Sequence, residues 1–364
     1  MPGMGTRVGP SAIRPVTTGI VLALCVTLAL TPPEGATGQS APFGPASTSP
    51  STSSLSWTHL IPAHHPPPIT NPAGAYDPKD QSVVVYGMVP YAPKGIAETW
   101  IYRSATWTQL RLNSTPPPLV ATEMTYDPSI GGIILFGGET FHNVARSYTW
   151  EFVNSSWTNL TSSLAIAPPP RVYQAQAFDG ALQAVVVFGG VAGPSWTEFH
   201  DTWEFTPTGW TNVTSRVGTA PPPRIAAAMA YDPAETELVL FGGLPQSSHC
   251  TTHPCVDKYT WVLHQGKWHM LNISEPGGRA GEGMTWDATT SSVIMWGGEG
   301  AGGPPFLNGT WSFTNDTWTH LNLSGPPGSW TPVLAYDGVL RSVVMFGVYV
   351  STNSGYYDQT WKLG

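Results

Sequence analysis

The chain has 364 residues and a formal charge of −8, and only 10% of its residues are charged. With Lys and Arg scarce and unclustered, nucleic acid is excluded as a partner, because phosphate recognition depends on such clusters. Gly (39) and Pro (37) make the chain turn-rich, yet 41% hydrophobic residues and 16 Trp exclude wholesale disorder.

Arg7 and Arg14 precede an uncharged apolar run from Val16 to Leu30. The run suits the hydrophobic region of a signal peptide and is short of the roughly 18 residues of a spanning helix. Ala36-Thr37-Gly38 supplies small residues for cleavage after Gly38, so residues 1–38 read as a signal peptide. The competing reading is an uncleaved N-terminal anchor, and it is the one membrane contact the sequence suggests. Residues 39–54 are rich in Ser, Thr and Pro and read as a linker.

From residue 55 onward the chain repeats. Trp-Thr or Trp-His pairs begin at Trp57, Trp107, Trp157, Trp210, Trp268 and Trp318, at intervals of 50 to 58 residues. Each interval opens with an aromatic-Asp pair, such as Tyr76-Asp77 or Phe178-Asp179, followed by an apolar run such as Val185–Phe188. Four of these runs end in Gly-Gly, at Gly137, Gly189, Gly242 and Gly297. A Thr-Trp pair follows at Trp100, Trp150, Trp203, Trp261, Trp311 and Trp361, and the next Trp lies seven residues on. Short runs of β-forming residues broken by Gly, Pro, Asn and Asp are strands, and four per repeat make one propeller blade. Strand a carries the aromatic-Asp pair, b the apolar run, c the Thr-Trp and d the next Trp.

The Asp suits an a–b turn, where its carboxylate accepts backbone N–H groups two residues on. Twelve of the sixteen Trp fall on c and d, where they wedge between blades as core. The last repeat stops after strand c, and a lone d strand, Leu55–Leu60, precedes the first complete blade. Pairing of Leu55–Leu60 with Gln359–Leu363 closes a six-bladed ring without an open edge. The expected fold is all-β, a six-bladed propeller over residues 55–364.

A repeat near 50 residues with an apolar run, Gly-Gly and a spaced Trp resembles the kelch-repeat β-propellers. That resemblance implies the fold and leaves function open. Kelch proteins include copper radical oxidases with a cysteine-bonded tyrosine, and sugar epimerases with acids and bases in the channel. Cys250 and Cys255 both fall in one loop, which does not fit the oxidase pattern. Glu123 and Glu282 on a strands are the residues that could face a channel.

The b–c connections and the Pro-rich d–a links are long, and both emerge on one face. Variable loops on a rigid frame are where binding resides, so that face is the expected working surface. Seven residues before the strand-a aromatic, three consecutive blades carry Arg171, Arg224 and Arg279. They read either as a clamp for a carboxylate or other anion, or as Arg bonded to loop carbonyls and a neighbouring acid. Trp196 and Trp330 lie in loops of this face and read either as contacts for a sugar or protein or as loop plugs. His64, His65, His142, His200, His249 and His253 also fall there, but on several different blades, so no metal or other cofactor is expected.

In an exported chain Cys250 and Cys255 read as a local disulfide; a zinc site with His249 and His253 is the alternative. Asn113, Asn154, Asn159, Asn212, Asn272, Asn308, Asn315 and Asn322 each begin an Asn-x-Ser/Thr glycosylation signal. Together these features lead to a secreted or cell-surface module that binds an extracellular glycan or protein. The alternative is a secreted carbohydrate-active enzyme, an epimerase or oxidase-like protein with its site at the channel mouth.

Overall fold

The b strands are runs of β-branched and aromatic residues, and Ala184–Phe188 and Glu237–Phe241 are buried along their whole length. A strand buried on both faces must lie between two layers, and here the layers are the neighbouring sheets. The computed structural model describes residues 55–90, 95–192, 196–245, 256–274, 276–301, 303, 305–349 and 356–364. The signal-peptide and linker readings, Cys250, Cys255, His249 and His253 lie outside the described residues.

Six four-stranded antiparallel sheets form the blades of a propeller. In blade 1, strands a to d are Thr70–Asp77, Ser82–Val89, Ile96–Arg103 and Thr106–Leu110. Blade 2 comprises Leu119–Asp127, Gly132–Thr140, Thr149–Val153 and Ser156–Asn159. Blade 3 comprises Ala175–Asp179, Ala184–Phe188, Thr202–Thr206 and Gly209–Asn212. Blade 4 is built from Ala228–Asp232, Glu237–Phe241, Thr260–His264 and Lys267–Met270. Blade 5 is built from Arg279–Asp287, Ser292–Gly300, Thr310–Thr314 and Thr317–His320. Val333–Asp337, Ser342–Tyr349 and Tyr356–Leu363 begin blade 6. Its fourth strand, Trp57–Leu60, comes from the other end of the chain and pairs Trp57 with Leu363 through Leu60 with Thr360. The ring closes as the strand count requires. Among the described residues no helix is long and apolar enough to cross a membrane.

Three repeated contacts explain the repeated residues. Each a–b turn is held by its buried Asp: Asp77, Asp179, Asp232 and Asp337 each accept two backbone N–H groups through Oδ1. The second Gly of each Gly-Gly donates its N–H to a carbonyl of the next blade, as Gly190 does to Arg224 at 2.9 Å. A Cβ on the first Gly would stand 2.5 to 3.1 Å from that same carbonyl, and both positions have positive φ, so only glycine fits.

The third contact is made by every strand-d Trp. Its indole N–H donates to the hydroxyl of the Thr that precedes the strand-c Trp of the preceding blade. The pairs are Trp107–Thr360, Trp157–Thr99, Trp210–Thr149, Trp268–Thr202, Trp318–Thr260 and Trp57–Thr310, all buried, at 2.8 to 3.0 Å.

Trp157→Phe and Thr99→Val should each cost about 1–3 kcal/mol, because each strands a buried polar partner. Urea unfolding of the double variant should then show a coupling of about 1 kcal/mol; strictly additive costs would refute the bond.

Candidate functional site

Five residues before each strand-a aromatic, every blade places a residue with positive φ: Asn71, Ala121, Tyr173, Ala226, Gly281 and Thr331. Five of these are not glycine, a conformation that disfavours each by roughly 1–2 kcal/mol. The gain is a chain of hydrogen bonds around the propeller axis. Tyr173 N–H donates to Ala121, Ala226 to Tyr173, Gly281 to Ala226 and Thr331 to Gly281, at 2.7 to 3.2 Å. Side chains complete the circuit: Thr331 Oγ1 bonds Asn71 Oδ1 at 3.2 Å, and Asn71 Nδ2 donates to the Tyr173 hydroxyl at 3.0 Å. Tyr173, Ala226, Gly281 and Thr331 of this ring line the central channel.

The channel has a volume of about 520 Å³. Most of its wall is small or apolar, from Ala73, Gly74, Ala177 and Gly283 to Met124 and Leu334, with Glu123, Gln176, Glu282, Thr125, Thr285 and Thr331 among its polar members. One end is ringed by the six strand-a aromatics, Tyr76, Tyr126, Phe178, Tyr231, Trp286 and Tyr336. Burial pushes the Glu123 carboxyl up to about 8. Glu282 also reaches about 8; burial raises it, while nearby amides, Arg279 and Arg224 oppose the rise. Both Glu282 oxygens are buried without a hydrogen-bond partner. Glu123 and Glu282 stand three and four residues before their aromatics, so their side chains leave opposite faces of equivalent strands. They are not two copies of one repeat position.

The arginines lie elsewhere. Arg171 is fully buried. Its guanidinium grips Asp201 through two bonds of 2.7 and 2.8 Å, donates to the Gly189 and Pro169 carbonyls, and stacks 4.2 Å from the Phe199 ring. Burial alone would raise the Asp201 carboxyl, but Arg171, joined by the Trp203 indole, holds it below its ordinary value. Arg224 repeats the arrangement with Gly242 and Pro222, and its Nη2 lies 2.8 Å from Asp257 Oδ2, off the ideal hydrogen-bond line. Arg279 keeps the two carbonyl bonds, to Gly297 and Gly277, without a carboxylate pair among the described residues. Of the two readings of this trio, the geometry matches the one in which each Arg ties its d–a link to its own Gly-Gly turn. In blades 3 and 4 the Arg also secures the b–c connection.

Trp330 is half-buried against the ring, its indole within 2.5 Å of where a side chain on Gly281 would begin. Trp196 is 40% exposed in the b–c connection of blade 3. None of the five residues lines the channel. The b–c connections are also more ordered than loops: Val191–Ala192 pairs with Thr197–Glu198, and Arg224–Ile225 with Leu244–Pro245. His64, His65, His142 and His200 are exposed, and no three metal-ligating side chains converge among the described residues. All eight Asn of the glycosylation signals are exposed.

No family model matches the chain, and no curated protein matches it.

Replacing Arg171 by Met leaves Asp201 as a largely buried, uncompensated charge and should cost about 3–5 kcal/mol of stability. Arg279→Met, which orphans only carbonyls, should cost clearly less in the same urea titration. Equal losses would contradict the assigned roles.

Proposed function

We propose that this propeller is an extracellular binding module whose long-loop face recognises a glycan or protein partner. One observation carries the reading. Of the eight large apolar side chains exposed among the described residues, six sit on that face. Ile96, Val144, Trp196 and Tyr259 stand at the b–c connections of four consecutive blades, and Ile61 and Ile166 on d–a links. Met270, on an outer d strand, and Val339, on an a–b turn, are the remaining two.

Isolated exposed apolar residues need no explanation, but a set gathered on one face of a rigid frame marks an interaction surface. Trp and Tyr suit either a sugar face or a protein contact, while Ile and Val favour protein. The frame supports this role because the ladders and buried arginines fix the connections in place before a partner arrives. An apolar leader and eight exposed glycosylation signals support an extracellular setting. The kelch-like repeat residues fit the same reading, since this architecture serves as a scaffold for its loops.

The test is binding of fluorescently labelled protein to intact cells and to a glycan array. A Trp196→Ala/Tyr259→Ala variant should lose at least about tenfold in affinity, a change of roughly 1.4 kcal/mol. Met270→Ser should bind as wild type. Equal binding by all three proteins would place the contact surface elsewhere.

A further inference from the structure

Four residues before the strand-a aromatic, the blades carry Pro72, Thr122, Gln174, Ala227, Glu282 and Pro332. Thr122 and Gln174 both donate to the carbonyl just before a Gly-Gly turn. Gln174 Nε2 reaches across the seam from blade 3 to the Phe136 carbonyl of blade 2, and Thr122 Oγ1 reaches the same oxygen within its own blade, both at 2.8 Å. Glu282 occupies the matching place between blades 4 and 5. A side chain begun on Gly137 would meet Gln174 Nε2 and the Arg171 carbonyl, each at 2.8 Å. One begun on Gly242 would meet Glu282 Oε1 and the Arg279 carbonyl, each at 2.5 Å. Glu282 Oε1 therefore stands where Gln174 Nε2 stands, and Phe241 is the counterpart of Phe136.

That place calls for a donor. Ala227 replaces Thr122 in blade 4 and has no hydroxyl to offer. Glu282 is 6% exposed, and both its oxygens are buried without a partner, out of reach of solvent. A carboxylate there would aim one buried acceptor at another and leave both unmet. A carboxylic acid presents an O–H instead. We propose that Glu282 is a proton-operated latch: as the neutral acid it donates to the Phe241 carbonyl and fastens blade 5 to blade 4, and on ionisation it lets that carbonyl go.

Arg279 and Arg224 are the charged groups that face Glu282, from its own blade and the preceding one. Both are already bonded elsewhere, Arg279 to the Gly297 and Gly277 carbonyls, and Arg224 to Gly242, Pro222 and Asp257. Burial outweighs their pull and raises the carboxyl from its ordinary 4.5 to about 8. A folded value above the unfolded one fixes the sign: the latch stabilises fully in acid, and its contribution is lost as the pH rises toward 8 and the proton passes to solvent. The seam is therefore tightest in mildly acid surroundings. No partner enters this inference, so it stands or falls apart from the loop-face reading.

Melting curves of the full chain at about pH 4.5 and about pH 9 test the latch. Glu282→Gln supplies the amide that Gln174 already uses. It should melt within about 1 °C of wild type at the acid end and several degrees above it at the alkaline end, where only wild type has lost its donor. Gln174→Glu should carry the behaviour to the seam between blades 2 and 3, melting near wild type in acid and several degrees below it in alkali. Infrared spectra at neutral pH read the proton itself: a carboxylic acid C=O component present in wild type should be missing from Glu282→Gln. A Glu282→Gln variant that melts below wild type at the alkaline end would reveal an ion pair with Arg279 or Arg224 and overturn the proposal. So would a difference in melting that does not change with pH, or an unaltered carboxylic acid band.

Discussion

The buried hydrogen bond from each strand-d Trp to a Thr of the preceding blade is the contact on which the ring depends. Each such bond adds only about 1 kcal/mol net, yet leaving either partner unmet costs more than that, so the geometry is enforced. One indole and one hydroxyl at fixed positions set the same step between blades six times. The interval of seven residues from strand-c Trp to strand-d Trp is set by the c–d hairpin, which pairs the strand-d Trp with the residue two beyond the strand-c Trp. The c strand supplies an acceptor to the next blade while its own d strand reaches back to the previous one. Blade 6 obeys the rule although its strands come from both ends of the chain, with Trp57 on Thr310 and Trp107 on Thr360.

The parts of the fold legible in the sequence were those repeated in kind. Trp, Asp and Gly-Gly recur because the indole bond, the Asx turn and the close inter-blade approach each admit few residue types. Ring closure was legible too, because a missing d strand at one end matches a surplus d strand at the other. The closing strand begins at Trp57, two residues inside the predicted Leu55–Leu60. The ring of left-handed residues was not legible, since its six positions hold five residue types, Asn71, Ala121, Tyr173, Ala226, Gly281 and Thr331. Backbone bonds between blades impose that conformation, and a backbone bond leaves no residue signature. The arginines recurred visibly, but Asp201 and Asp257 sit at different offsets in connections of unequal length. Their partners emerged only once the chain was folded.

The propeller has two chemical environments. On one side lie the ladders, the tied-down b–c connections and the exposed apolar side chains, all suited to a macromolecular surface. On the other lies a central channel walled mostly by small and apolar side chains. The Arg residues serve the first by rigidity alone, since their guanidinium groups are spent on Gly, Pro and Asp partners. Glu123 lines the second, whereas the Glu282 carboxyl lies at the Gly242 turn, and burial raises both toward the protonated form.

Closure of the ring by the N-terminal strand is the claim from which both environments follow, and a cross-link measures it directly. Thr58 stands opposite Lys362 in the closing ladder, so Thr58→Cys with Lys362→Cys should oxidise to a bridge within one chain. Mass spectrometry should recover the linked peptides, and the oxidised protein should melt several degrees above the reduced one, since the bridge closes a loop spanning nearly the whole propeller. Failure of the pair to link within one chain, or linkage without a rise in melting temperature, would contradict the six-bladed closure.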